Sequence, residues 1–127
     1  ARGAKRALPL PVSAPFHSSL LKPAADRLAE RMRDLTFHTP SIPVVNNVDV
    51  AEIIDPQSIK DALARQACNP VRWVEVIRAI AARGVTDVCE CGPGKVLAGM
   101  TGRIEKSLNS FALTDPASIA QALEGLK

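Results

Sequence analysis

Residues 85–113 read VTDVCECGPGKVLAGMTGRIEKSLNSFAL, and this stretch decides the fold class. The pattern predicts two β-strands, over residues 85–91 and residues 111–113. It also predicts a tight turn at residues 92–94, which joins the first strand to a helix. That helix is indicated by an apolar stripe of Val96, Leu97, Met100, Ile104 and Leu108. Strands that alternate with helices indicate parallel βαβ pairing, so we expect an α/β protein built of parallel-sheet layers.

Upstream of this unit, the sequence predicts an amphipathic helix. Its apolar side chains recur at steps of three and four residues, at Leu21, Ala25, Leu28, Met32 and Leu35. Ser18 or Ser19 can cap its start, and Pro23 is acceptable in the first turn, where its missing N–H has no helical partner.

Further helix starts are marked by a capping residue followed by proline. Asp55-Pro56, Asn69-Pro70 and Asp115-Pro116 each place such a pair before a periodic run. The second of these helices is expected to run to about Arg83, because Gly84 suits a left-handed residue just past a helix end.

A short strand is predicted over residues 44–48, after the break that residues 39–43 make in the helical pattern. Asn46 and Asn47 are unusual within such a run. Adjacent amides can cap a turn or contact a substrate, and we favour the turn.

Composition narrows the class of protein. The 127 residues are 46% hydrophobic, which predicts one globular unit, and a net charge of +3 is too weak to indicate a nucleic-acid partner. The longest uncharged run, residues 7–21, is shorter than a membrane span needs. We therefore expect a soluble protein, and without a signal peptide a cytoplasmic one. The absence of an initiator Met suggests a truncated chain.

Three cysteines without a secretory signal predict reduced thiols. Cys89 and Cys91 can share a strand face, but a zinc site needs further ligands at suitable spacing, and both histidines lie far away in sequence. We expect the two to be a buried strand pair, because a free cysteine behaves as a small apolar residue.

His17 is the residue best suited to chemistry. It lies between a proline-rich extended run and the first predicted helix, whose positive end favours the neutral, proton-accepting ring. A general base needs a group to act on, yet no Gly-x-Ser-x-Gly nucleophile motif occurs in the 127 residues. His38 matches no motif and is expected to have no catalytic role.

Five blocks of sequence carry a resemblance to a known family. They are KRALPLPVS at 5–13, PFH at 15–17 with LKPAA at 21–25, PVVNNVDV at 43–50, RQ at 65–66 with NPVRW at 69–73, and GPGKVL at 92–97. In this order they resemble the C-terminal part of the bacterial malonyl-CoA:acyl carrier protein transacylases, over nearly the whole chain. The resemblance implies that residues 1–13 end a ferredoxin-like small subdomain and that residues 14–127 belong to an α/β-hydrolase-like large subdomain.

The resemblance also implies residue roles. His17 matches the general base, and Gln66 matches the residue whose backbone carbonyl accepts a hydrogen bond from the other ring nitrogen. Lys5 and Arg6 match basic positions that meet coenzyme A phosphates or the acidic carrier protein. In addition, Phe16 and Val96 are implied to contact substrate, and Lys95 is a candidate anion contact.

The implied reaction is malonyl transfer to acyl carrier protein in fatty acid biosynthesis, a part of lipid metabolism. The serine that carries the malonyl group, and the arginine that binds its carboxylate, would lie upstream of Ala1, so this chain alone is expected to be inactive. No metal or bound cofactor is implied, because coenzyme A enters as part of the substrate. Two alternatives stay open: an acyltransferase domain of a polyketide synthase, and a non-catalytic fragment that binds carrier protein.

Overall fold

The computed structural model describes residue 3, residues 7–9 and residues 11–126. Its helices are α1 (Lys22–Arg33), α2 (Pro56–Cys68), α3 (Trp73–Ala81), α4 (Val96–Ile104) and α5 (Pro116–Gly125), and its strands are β1 (Asp87–Cys91) and β2 (Asn109–Leu113). The chain divides into two compact units. The first comprises the described residues up to Ser41 together with residues 54–71, and the second comprises residues 42–53 and the described residues from Arg72 onward.

The first unit is a pair of packed helices. Helix α1 packs on α2, and small or flexible side chains fill the contact: Ala25 and Met32 of α1 and Ala62 of α2 are buried. Pro23 lies in the first turn of α1, as predicted. The predicted serine cap is wrong, because a 3₁₀ turn over Ser19–Leu21 precedes the helix and Leu21 takes the cap position.

The two Asp-Pro helix starts are confirmed. Asp55 accepts a hydrogen bond from the Ser58 N–H at the start of α2, and Asp115 does the same with Ser118 in a full capping box at the start of α5. Each bond lowers the pKa of the aspartate from its usual value, because a backbone N–H favours the ionised carboxylate.

The Asn-Pro pair does not start a helix. Asn69 instead ends α2 in an extended conformation, with its side-chain amide donating to the Arg65 carbonyl across 2.7 Å, and α3 begins later, at Trp73. The same short amide that can cap a helix start can also satisfy the free carbonyls at a helix end. Gly84 follows α3 at φ 82°, the left-handed conformation that its position predicts.

The second unit contains the parallel pair that the sequence predicts. Strand β1 pairs with β2 from Asp87 opposite Asn109 to Cys91 opposite Leu113, and α4 makes the crossover. The buried side chains of this unit are Val76, Ile77, Thr101, Leu108 and Ala122. The predicted inward stripe of α4 is confirmed only in part. Leu108 is buried and Ile104 is half-buried, whereas Val96 is 69% exposed. The buried residue within α4 is Thr101, which donates its hydroxyl to the Leu97 carbonyl, and the helix ends at Ile104, before Leu108.

The strand predicted over residues 44–48 is also wrong, since only one isolated antiparallel bridge forms there, between Val45 and Glu52. The turn predicted for the asparagines is confirmed for Asn46, whereas the Asn47 side-chain oxygen is buried without a hydrogen-bond partner among the described residues. The Asn46 side-chain oxygen accepts from the N–H groups of Val48 and Asp49, and its amide donates to the Ala51 carbonyl. Side-chain bonds of this kind offer the backbone an alternative to a strand ladder.

Cys89 and Cys91 are exposed, which corrects the predicted buried pair. Side chains alternate along β1, and Val88 and Glu90 take the half-buried positions. Helix α4 packs on the strand, and the Glu90 carboxylate accepts from the Ala98 N–H near its start, so the covered side is the one that holds Glu90. The two cysteines therefore lie on the uncovered side of the strand.

Candidate active site

His17 lies in a tight turn ahead of α1. Its backbone adopts φ 56°, in the left-handed region that few residues other than glycine enter, although histidine does so more often than most. The Ser18 hydroxyl donates to the Pro15 carbonyl across 2.7 Å and so closes the turn around Phe16 and His17. The His17 side chain is exposed, which leaves its ring accessible to a reacting group.

The ring of His17 is held by one hydrogen bond. Its Nδ1 atom donates to the backbone carbonyl oxygen of Gln66 in α2 across 3.0 Å. A carbonyl oxygen only accepts hydrogen bonds, so the proton of the neutral ring lies on Nδ1 and the lone pair lies on Nε2. The contact therefore fixes both the tautomer and the direction in which the free nitrogen points.

The end of α2 explains why the Gln66 carbonyl can accept this bond. Gln66 lies in the last turn of the helix, where carbonyl groups have no partner within the helix. Four residues further on is Pro70, which has no N–H to donate. The neighbouring Arg65 carbonyl accepts from the Asn69 amide, so these two adjacent carbonyls have different partners.

This arrangement suits a general base. Nε2 accepts no hydrogen bond from the residues that the structure describes, the ring is accessible, and the group that orients it is neutral. In a Ser-His-Asp triad the orienting group is a carboxylate. A neutral carbonyl can orient the ring in the same way without adding a negative charge to the site.

The remaining predicted site residues are not brought into contact with His17 by any described bond. Phe16 is 63% exposed beside it in the turn, and Val96 is exposed at the start of α4 in the second unit. Lys5 and Arg6 lie outside the described residues. Lys95 is exposed at the cap position of α4, and His38 is exposed after α1.

The glycine-rich turn of residues 92–94 lines a cavity of about 320 Å³ in the second unit, together with Trp73, Leu97 and Thr101. The Glu90 carboxylate binds the N–H of Ala98 at the adjoining start of α4. An acidic side chain already occupies this helix end, which opposes an anion there. Within the described ranges, no three His, Cys, Asp or Glu side chains cluster to hold a metal ion.

Two features of the structure were not predicted from the sequence. Ser18 closes the His17 turn, although its predicted task was to cap α1; the signal is a hydroxyl three residues after a proline carbonyl. The Trp73 indole N–H is buried without a hydrogen-bond partner among the described residues, and no sequence pattern indicates this.

No described helix combines the length and apolar character that a bilayer crossing demands.

The chain is similar to known malonyl transferases in sequence and in structure. It is 54% identical over 123 residues to the malonyl CoA-acyl carrier protein transacylase of Salmonella typhimurium and 42% identical over 125 residues to that of Bacillus subtilis. These matches cover 97% and 98% of this chain but only 40% and 39% of the relatives. The chain therefore spans about two fifths of their length. No family model matches it.

Solved structures of malonyltransferases are also similar to this chain. An acyl-carrier-protein S-malonyltransferase from Burkholderia pseudomallei is 62% identical, with a TM-score of 0.91 over 96% of this chain and 40% of its own. A malonyl-transacylase solved in complex with its type II PKS acyl-carrier protein is 50% identical, with a TM-score of 0.92 over 97% of this chain and 40% of its own.

Proposed function

We propose that this chain, whose sequence and fold are those of a segment of the malonyl CoA-acyl carrier protein transacylase family, supplies the general base for malonyl transfer. The acceptor is the phosphopantetheine thiol of acyl carrier protein, the donor is malonyl-CoA, and the process is fatty acid biosynthesis in the cytoplasm. The observation that carries the proposal is the 3.0 Å contact between His17 Nδ1 and the Gln66 carbonyl, which leaves Nε2 free to take a proton.

The first half of the reaction acylates a serine that lies upstream of Ala1 in the longer protein. His17 Nε2 takes the proton of the serine hydroxyl while its oxygen attacks the thioester carbon of malonyl-CoA. Backbone N–H groups outside this chain stabilise the oxyanion. The carbon–sulfur bond then breaks, and the coenzyme A thiol leaves with the proton that His17 returns.

The second half is the reverse of the first, with the phosphopantetheine thiol in the place of the coenzyme A thiol. His17 takes the proton of the phosphopantetheine thiol, and the sulfur attacks the acyl-serine ester. The carbon–oxygen bond breaks, the malonyl group moves to the carrier protein, and the serine oxygen regains the proton. Throughout, the carbonyl dipole of Gln66 faces the positive charge that the ring carries between the two proton transfers.

The other residues are assigned to binding. Lys5 and Arg6 attract the phosphates of coenzyme A or the acidic surface of the carrier protein, and Phe16 and Val96 supply apolar contact to the substrate. Residues 1–13 close a ferredoxin-like small subdomain, and residues 14–127 belong to the large subdomain.

The test compares the 127-residue chain with a full-length protein that contains it, each incubated with radiolabelled malonyl-CoA. The full-length protein is expected to form a labelled acyl-protein and to pass the label to holo acyl carrier protein. The 127-residue chain is expected to form none, because it lacks the nucleophile. Stable labelling of Ser13, Ser18 or Ser19 in the short chain would contradict this mechanism.

A second candidate concerns the identity of the carrier protein. The relative solved with a type II PKS acyl-carrier protein favours polyketide synthesis as the alternative to fatty acid synthesis. The discriminating measurement is kcat/KM for carrier proteins of the two kinds with the same full-length protein. A non-catalytic carrier-binding role is distinguished by titration, since it predicts carrier binding without any acyl-protein in the full-length chain.

A further inference from the structure

We propose that Ser18 is a positioning residue for His17: its hydroxyl holds the turn that keeps the His17 backbone left-handed and so aims the ring. The inference rests on the proposed function, because it concerns the direction of the general base. The task it assigns to Ser18 is neither to cap a helix nor to carry the acyl group.

The geometry of the turn supports this assignment. Pro15 and Ser18 are the first and last residues of a four-residue turn, and the 2.7 Å bond from the Ser18 hydroxyl to the Pro15 carbonyl joins its two ends. The backbone carbonyl of Ser18 accepts from the Leu21 N–H across 3.0 Å, which ties the same residue to the 3₁₀ turn before α1. Ser18 thus connects the His17 turn to the helix behind it.

The turn needs such a closure because of the conformation at its centre. The left-handed backbone of His17 at φ 56° crowds its Cβ against the following carbonyl, so an unrestrained chain prefers a negative φ. A change of sign in φ swings the Cα–Cβ bond and with it the whole ring. The ring would then leave the Gln66 carbonyl, and Nε2 would no longer point in the direction that proton transfer requires.

The experiment uses the full-length protein with Ser18→Ala, Ser18→Thr and the matched control Ser19→Ala. Ser19 is the adjacent exposed serine, and its hydroxyl makes no hydrogen bond within the described part of the chain. Ser18→Ala is expected to slow single-turnover malonyl transfer about tenfold, the effect of one lost hydrogen bond at an oriented group. Ser19→Ala is expected to change it less than about twofold.

Ser18→Thr is expected to restore transfer because it keeps the hydroxyl. The Ser18 backbone is extended, at φ −131° and ψ 164°, and a β-branched residue adopts that conformation readily. Thermal melts of all variants check that the fold is retained. If Ser18→Thr is as slow as Ser18→Ala while both melt normally, the hydroxyl is not what aims the ring and the proposal is wrong.

A double-mutant cycle with His17→Ala separates this role from a general structural one. If Ser18 acts through the ring, Ser18→Ala has no further effect once His17 is Ala. An equal tenfold loss in both backgrounds would overturn the positioning role and leave the proposed function intact. If His17→Ala itself retains transfer, the proposed base is wrong, and the positioning role fails with it.

Discussion

Truncating His17 and Gln66 in turn tests the candidate base most directly, because the two residues contribute different parts of one contact. His17→Ala removes the ring and therefore the proton acceptor. A positioned general base contributes a factor of about 10² to 10⁴, which corresponds to roughly 2.7–5.4 kcal/mol of transition-state stabilisation. We expect a loss of malonyl transfer of that size in a full-length protein that contains this chain.

Gln66→Ala should behave quite differently. The atom that accepts from His17 Nδ1 is the backbone carbonyl oxygen, and it stays in place when the side chain is truncated. Alanine also maintains α2, since it is the strongest helix former. We expect transfer to fall by less than about twofold. Gln66→Pro is the severe counterpart, because a proline inside α2 removes a helical N–H and clashes with the preceding turn, at a cost of about 3 kcal/mol or more.

The assay is a burst-phase measurement of acyl-protein formation in these three variants, with melting temperatures recorded for each. His38→Ala is the matched control, because it removes an exposed histidine outside the candidate site and is expected to have little effect. Two results would refute the reasoning: near-native transfer in His17→Ala, or a loss in Gln66→Ala as large as that in His17→Ala.

Two further perturbations concern binding and stability. Changing both Lys5 and Arg6 to Glu should raise the KM for carrier protein severalfold and flatten its salt dependence, whereas single-turnover chemistry should survive; an unchanged salt dependence would exclude both from docking. Asp115→Ala should lower the melting temperature at pH 7 by about 3–5 °C. Because folding lowers the pKa of Asp115, its contribution is present above the unfolded-state pKa of about 3.9 and is lost as pH falls through the folded-state value, so the difference should shrink in acid.

The parts of the fold that the sequence predicts correctly are those determined by neighbours in the chain. The starts of α2 and α5 follow from an aspartate and a proline that act within three residues. The parallel pairing of β1 and β2 follows from the length of the crossover that separates them. Neither prediction needs information from distant residues.

The predictions that are wrong involve a choice between two local options. Asn69 can cap the start of one helix or the end of another, and the Asn46 side chain competes with a strand ladder. The burial of Cys89 depends on which face of β1 is covered by α4, and a period-two pattern cannot identify that face by itself. Packing against α4 decides the burial of Cys89.

The candidate site depends both on residues that are near in sequence and on contacts with distant ones. The direction of the His17 ring depends on a left-handed backbone and a serine hydroxyl, and the same serine could equally have capped α1, so local pattern alone does not select the turn. Its partner, the Gln66 carbonyl, lies 49 residues away in sequence. One part of that contact can nevertheless be deduced from the chain: a proline four residues after Gln66 leaves its carbonyl without a helical donor. The proline that follows α2 therefore leaves the Gln66 carbonyl open to His17, which couples the end of the helix to the orientation of the candidate base.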